Sequence, residues 1–152
     1  MLRAHATSRT TDPIPFDVVV LTHAERHVRR RIITLQHGDE LLVDLPRAVV
    51  LAHGDRLQLE DGRHVEIIAA EEELMQVRAG SATTLAALAW HLGNRHVPAQ
   101  IEMNRILIER DRVIRDMLRG LGAWVENVSE PFEPLLGAYH RHSDAGTDRA
   151  PA

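Results

Sequence analysis

The sequence predicts an α+β protein in which a small all-β domain precedes a ferredoxin-like domain. Short runs rich in Val, Ile and Leu, separated by Gly and Asp turns, fill residues 12–70 and are typical of strands. Beyond them, two stretches have the apolar spacing of amphipathic helices and alternate with strand-like runs. The second half therefore has the order β-α-β-β-α-β, in which two helices cover one face of a four-stranded sheet.

The first domain is predicted to consist of short strands joined by tight turns. Gly38-Asp39, Gly54-Asp55 and Asp61-Gly62 supply turn residues, and Pro46 is expected to end a strand segment. Residues 1–11 lack the apolar middle of a secretory signal, so we expect a flexible N-terminus there. The strand-forming runs occupy residues 17–22, 31–34, 41–43, 49–51, 57–59 and 64–68.

Two helices are predicted in the second domain from their caps and their apolar spacing. Ser81 and Asp111 are residue types that cap helix N-termini, and Gly93 and Gly120 are expected to end the two helices. The first apolar face is formed by Leu85, Leu88, Ala89 and Leu92, and the second by Val113, Ile114, Met117, Leu118 and Leu121. Strands are predicted at residues 74–79, 99–103, 105–109 and 123–128.

The boundaries of the second domain follow from changes in composition. Glu71-Glu72-Glu73 is interpreted as a solvated linker that opens a domain over residues 71–139. Phe132 is expected to anchor the last segment, and the sheet face away from the helices is expected to be open to a partner. Residues 140–152 contain no large apolar residue and are predicted to be a disordered tail.

The composition excludes several classes of function. The net charge is −4, so no strongly basic field favours nucleic-acid binding. There is no cysteine, and the ten histidines leave nitrogen and oxygen as the ligands of any transition metal. No apolar run is long enough to span a membrane. We therefore expect a soluble cytoplasmic protein with neither nucleic-acid nor membrane partners.

The candidate site is the turn that follows the first predicted helix. Gly93 and Asn94 tolerate the left-handed conformation that closes a helix, and Pro98 prevents its continuation, so His96 should lie on a short stiff connection. One imidazole is not a metal site, but a residue near a two-fold axis meets its own copy. His140 and His142 in the tail supply further nitrogen ligands.

The other histidines and the known catalytic motifs give no competing site. We expect His91 to be structural, and we expect the remaining histidines at 23, 27, 37, 53 and 64 to lie on the surface. No helical zinc-protease pattern, nucleophile elbow, P-loop or dinucleotide-binding motif is present. The sequence therefore predicts a protein that is not an enzyme.

Three segments carry a resemblance to a known family. They are LPRAVVLAHGDRLQLEDGRHVEI at 45–67, AWHLGNRHVPAQI at 89–101 and PFEPLLGAYHRH at 131–142. With these segments the chain resembles the UreE family, the nickel-carrying accessory proteins of urease maturation. The resemblance implies an N-terminal domain similar to the peptide-binding domain of DnaJ-type chaperones, and a ferredoxin-like C-terminal domain that forms a homodimer.

The resemblance also implies a ligand set and partners. The second histidine of HLGNRH, His96, corresponds to the interface metal ligand, and His140 and His142 correspond to tail histidines that add ligands. Ni(II) is the cargo, with Zn(II) and Cu(II) as competitors, and the implied partners are the GTPase UreG and the urease apoprotein complex. The alternative is a metal-independent adaptor that binds a client protein through the β domain.

Overall fold

The computed structural model of the chain describes residues 1–136. They form two compact units, Met1–Ala70 and Glu71–Leu136. The first unit is a β sheet with one short 3-10 helix, and the second combines a four-stranded sheet with two α-helices. The predicted α+β class is confirmed. The predicted tail, and with it His140 and His142, lies outside the described residues.

The first unit contains a six-stranded sheet whose inner face carries an aliphatic core. Its spatial order is β2-β6-β5-β1-β4-β3, so the edge strands are β2 and β3. A 3-10 helix, Ala24–Arg26, joins those two strands in sequence. The strands are β1 Leu2–Ser8, β2 Asp17–Leu21, β3 His27–Thr34, β4 Glu40–Val50, β5 Arg56–Leu59 and β6 His64–Ala69.

The N-terminus is an interior strand of that sheet, so the prediction of a flexible segment at residues 1–11 is wrong. Strand β1 pairs in parallel with β4 and antiparallel with β5. Ala4 is completely buried and Leu2 packs against the core. Backbone hydrogen bonds to β4 on one side and β5 on the other hold the segment in the sheet. Its inward-facing side chains are small, so the sequence shows little apolar pattern there.

Strand β4 continues through Pro46, which we had expected to end a strand. The predicted runs at 41–43 and 49–51 are therefore parts of one strand. The register of β4 against β3 shifts between Val28 and Arg30, opposite the region that contains Pro46. A proline lacks the N–H for a regular ladder, and an irregularity of this kind accommodates it.

The second unit has the ferredoxin-like topology that the sequence predicts. All neighbouring strands in its sheet pair antiparallel, in the spatial order β10-β7-β9-β8. One core lies between the helices and the sheet, and includes Leu88, Leu92 and Leu118. The elements are β7 Glu71–Arg78, α1 Ala82–Asn94, β8 Ala99–Ile101, β9 Ile106–Glu109, α2 Arg112–Gly120 and β10 Trp124–Pro131.

Two details of this unit differ from the expectations. Glu71 to Glu73 are the first residues of β7 and pair with Ser129 to Pro131 of β10, so they are not a linker. Strand pairing needs only their backbone, and their side chains stay at least partly solvated. On the sheet face away from the helices, Phe132 forms a second small core with Leu74 and Leu107. Phe132 is the predicted anchor, but that face is partly covered rather than open.

Neither helix within residues 1–136 is long and apolar enough to cross a membrane.

Candidate metal-binding site

Helix α1 positions the candidate site at its C-terminal end. The hydroxyl of Ser81 accepts a hydrogen bond from the Thr84 backbone N–H at 3.1 Å, which caps the first turn as predicted. Leu85, Leu88 and Leu92 are buried against the sheet and fix the rotation of the helix. The end of α1 is therefore a rigid support for the residues that follow.

His96 itself adopts the left-handed conformation that closes the helix. Its φ is +59°, and within residues 1–136 no other non-glycine residue has a positive φ. The His96 N–H donates to the Gly93 carbonyl and the Val97 N–H donates to the Leu92 carbonyl, both at 3.0 Å. These two bonds form a Schellman motif with His96 at the position normally held by glycine.

The prediction that Gly93 and Asn94 supply the left-handed residue is therefore wrong. Both belong to α1, which extends to Asn94. Val97 packs against the core that contains Leu92, which is the apolar contact that accompanies this type of helix end. An L-residue in this conformation costs about 1–2 kcal/mol, and such strain often marks a functional position.

The imidazole of His96 is presented to the outside. The residue is exposed, and within the described part of the chain its ring makes no hydrogen bond, ion pair or ring contact. It borders a shallow depression that is also lined by Pro98, Glu109 and Asp111. The Asp111 carboxylate already accepts the Ile114 N–H at 3.0 Å and so caps α2.

A complete metal site is not formed by one copy of residues 1–136. No group of three or more His, Asp or Glu side chains within these residues is arranged to hold a metal ion. His91 lies one residue after Trp90, half-buried, and its ring meets the indole edge-on at 5.1 Å between centroids. A metal ion at His96 would therefore need further ligands from another chain or from beyond residue 136.

The outward face of α1, next to His96, is uncharged. Residues 82–94 contain no Asp, Glu, Lys or Arg. Ala86, Ala87 and Gly93 are exposed, and Trp90 is 65% exposed between them. A large aromatic side chain amid small residues, without charges, is typical of the centre of a protein interface. The sequence analysis did not predict this face, although the absence of charged residues from 82 to 94 is a signal that could have indicated it.

The described chain ends close to the same turn. The Glu133 N–H donates to the Gln100 side-chain oxygen at 2.8 Å. The Leu135 N–H then donates to the Ala99 carbonyl at 2.9 Å. The segment thus runs along the edge of β8 in the direction of His96, which precedes Ala99 by three residues. The connection to His140 therefore begins next to the candidate site.

A partly buried ion-pair network fixes the β8–β9 hairpin beneath this segment. Arg105 contacts Glu130 through two bonds of 2.7 Å and also bonds Glu102 and Gln76. Hydrogen bonds from Arg105 lower the pKa of the Glu130 carboxyl, and the Glu130 and Glu102 carboxylates raise the pKa of the guanidinium. The network ties the hairpin to β10, from which the final segment departs.

The histidines of the first unit are not all plain surface residues. His64 is only 5% exposed, so its predicted surface position is wrong: it lies in β6, an interior strand. His53 is exposed, but its Nδ1 accepts the Ala69 N–H. His37 donates to the buried Asp17 carboxylate. His23 and His27 lie together, with their rings in contact.

Comparison with known proteins identifies the family. Models for the N-terminal and C-terminal domains of UreE urease accessory proteins match residues 1–70 and 72–150. The urease accessory protein UreE of Rhizobium meliloti is 54% identical over 128 residues, which is 84% of this chain and 83% of that protein. UreE 1 of Brucella suis is 52% identical over 139 residues, 91% of this chain and 84% of that protein.

A third relative is more similar but longer. UreE of Mesorhizobium japonicum is 60% identical over 124 residues, which is 82% of this chain and 63% of that protein. The relatives carry the name of a urease accessory protein and not of a catalyst, which agrees with the prediction that the chain is not an enzyme. With both family models and these relatives in agreement, the chain belongs to the UreE family of urease accessory proteins.

Proposed function

We propose that this protein is a nickel carrier that donates Ni(II) during assembly of the urease metallocentre in the cytoplasm. The observation that carries the proposal is the exposed, strained His96 at the end of α1, beside an uncharged helix face. Imidazole nitrogen is a suitable ligand for Ni(II), and it also binds Zn(II) and Cu(II), which we expect to compete. The nickel ion is cargo and not a resident cofactor.

The proposed site is completed by a two-fold homodimer of the C-terminal unit. Packing of the two α1 faces around Trp90 would bury an exposed aromatic side chain and bring the two helix ends near the axis. Each chain then contributes one His96. The two rings supply two nitrogen ligands, fewer than the four to six that a transition metal takes.

The tail histidines are proposed to supply the remaining ligands. His140 follows Leu136 by four residues, so the connection spans at most about 14 Å. The starting point is the hydrogen bond of Leu135 to Ala99, and His96 lies at most about 11 Å from Ala99 along the chain. His140 and His142 therefore have the reach to join His96 on one ion.

This arrangement suits a carrier, because the tail ligands can dissociate one at a time. The covalent connection keeps their effective concentration high while the metal is held. Each imidazole must be neutral to bind, and its reference pKa is about 6.5, so nickel affinity should fall steeply as the pH drops below that value. The proposed recipients are the urease apoprotein complex and its GTPase partner UreG.

Native mass spectrometry of the intact protein during Ni(II) titration tests the proposal. We expect a dimer that binds one tight Ni(II), and loss of that ion in His96→Ala. His91→Ala is the matched control, because His91 is a nearby histidine in the last turn of α1 and its removal should leave the tight site in place. The proposal fails if His96→Ala retains the stoichiometry and affinity of the wild type.

The competing adaptor hypothesis makes a different prediction. An adaptor that binds a client through the N-terminal unit, with a purely structural His96, would show no tight Ni(II) site by calorimetry. A tight site that depends on His96 therefore excludes the metal-independent form of that hypothesis.

A further inference from the structure

Two histidines of the N-terminal unit form a close pair that the proposed nickel site does not use. His23 precedes the 3-10 helix Ala24–Arg26, and His27 follows it as the first residue of β3. Their Nε2 atoms are 3.3 Å apart. The ring centroids are 4.7 Å apart and the ring planes are inclined by 82°. The two rings thus bring the same type of nitrogen to within hydrogen-bond distance of each other.

The distance between the two nitrogens matches the bite of a tetrahedral metal ion. With Zn–N bonds of about 2.0–2.1 Å and a tetrahedral angle, two ligand nitrogens lie about 3.3 Å apart. The near-perpendicular rings also keep the two imidazoles from colliding. In the absence of metal, the same distance accommodates a hydrogen bond in which one Nε2 carries the proton. When a metal ion binds, that proton moves by exchange with water to Nδ1 of the same ring, so that both neutral rings offer an Nε2 lone pair.

The turn that holds the pair is fixed by groups other than the two imidazoles. Arg26 is 1% exposed, and its guanidinium donates to the Leu51 carbonyl at 2.9 Å and to the Leu21 carbonyl at 3.1 Å. The Thr22 N–H donates to the Glu25 carboxylate at 2.9 Å, and the Glu25 N–H donates to the Thr22 hydroxyl at 3.3 Å. This reciprocal pair is a capping box.

The anchored turn preorganises the two nitrogens, so that little conformational entropy is lost when an ion binds. His27 is exposed and His23 is half-buried, so water can reach the point between the rings and complete the coordination. Imidazole pairs without thiolates suit Zn(II), Ni(II) and Cu(II). Among these, the tetrahedral spacing favours Zn(II).

We propose that His23 and His27 form a second, two-nitrogen site for a divalent transition metal, with Zn(II) as the best-fitting ion. The site is independent of the nickel site proposed above, because it lies in the other unit and includes neither His96 nor the tail histidines. With two protein ligands, it binds more weakly than a site with four imidazoles. Both ligands come from one chain, so the site does not require a second copy of the protein.

Nuclear magnetic resonance of the full-length protein with labelled histidine rings tests the site, with Zn(II) as the probe. In the wild type, the His23 and His27 ring signals should shift together, with one midpoint and one Zn(II) per chain in addition to any ion held at the His96 site. In His23→Gln, the His27 signal should need at least tenfold more Zn(II) to shift, and His27→Gln should have the same effect on His23. His5→Gln, which removes an exposed histidine of β1, should leave the midpoint unchanged.

The same titration in His96→Ala separates this site from the nickel site. The His23 and His27 shifts should persist there with an unchanged midpoint in free Zn(II), whether or not nickel binding is lost. The inference is overturned if the two signals do not shift with Zn(II) in the wild type. It is also overturned if His27 keeps its wild-type midpoint in His23→Gln while the amide spectrum shows a native fold.

Discussion

Replacing His96 by glycine should stabilise the protein and at the same time abolish its tight metal site. The reason lies in the Schellman motif at the end of α1, in which His96 has a φ of +59°. Glycine adopts that conformation without a steric cost, and both backbone hydrogen bonds of the motif, to Gly93 and to Leu92, remain possible. The histidine side chain has no packing role that glycine would forfeit, since it is exposed.

The magnitude follows from two opposing terms. The left-handed conformation costs a residue with a Cβ about 1–2 kcal/mol. Glycine avoids that cost but loses more conformational freedom on folding, which offsets about 0.5–1 kcal/mol. We therefore expect His96→Gly to raise the free energy of unfolding by about 0.5–1 kcal/mol. His96→Ala keeps a Cβ and should remain within about 0.5 kcal/mol of the wild type.

Urea denaturation of the three proteins at equal concentration, with a chelator present, measures the difference. The chelator is needed because bound metal would stabilise the wild type alone, and equal concentration is needed because the proposed dimer would make stability depend on concentration. Both variants should lose the tight Ni(II) site. If His96→Gly is no more stable than His96→Ala, the strain assigned to this position is absent. If His96→Gly retains the site, His96 is not a ligand.

Four further predictions concern other parts of the described chain. Trp90→Glu places a charge on the uncharged face of α1. Because burying an unpaired charge is costly, we expect this variant to weaken self-association at least tenfold in analytical ultracentrifugation. Unchanged self-association would place the interface elsewhere. Arg105→Gln removes the partner of Glu130 and should lower the free energy of unfolding by about 1–2 kcal/mol in urea; no change would show that the network is not stabilising. The folded-state pKa of Glu130 is lowered, so its contribution is present above the unfolded value near 4.3 and is lost as the pH falls through the folded value. Between about pH 5 and 3 the wild type should therefore lose more stability than Arg105→Gln, and parallel pH profiles would contradict this. Asp17→Asn should lower the free energy of unfolding by about 1–3 kcal/mol in thermal melts. Burial alone would raise the pKa of Asp17, but hydrogen bonds from Val18 and His37 outweigh it and keep the carboxylate charged; an unchanged melting temperature would contradict that account.

The parts of the fold that local chemistry determines could be predicted from the sequence. Ser81 and Asp111 cap the two helices as expected. Each side-chain oxygen accepts a hydrogen bond from the backbone N–H three residues later, so the interaction involves only residues that are close in sequence. The strand β1 could not be predicted in the same way. Its hydrogen bonds go to β4 and β5, whose partnering residues are distant in sequence, and its buried Ala4 contributes little apolar signal.

The position of His96 was predicted, but its conformation was not. Residue preferences favour Gly93 or Asn94 in the left-handed region, whereas the helix end is set by where Val97 can pack beside Leu92. That packing places the left-handed residue two or three positions later than residue preference alone suggests. The Schellman motif therefore requires the strained conformation at the one residue of the turn whose ring is offered to a ligand.

This coincidence links the fold of the C-terminal unit to the proposed carrier. A glycine at position 96 would satisfy the backbone better, so the histidine is retained at a cost of stability, and the gain must lie in what its ring contacts. Among residues 1–136 the ring makes no hydrogen bond, ion pair or ring contact, and the adjoining surface of α1 lacks the charges that keep an exposed helix solvated. The proposed approach of a second copy would account for both the exposed ring of His96 and the uncharged face of α1 beside it. In the proposed carrier, the strain at His96 and the exposure of Trp90 have one explanation, that the metal site is assembled only when two copies meet.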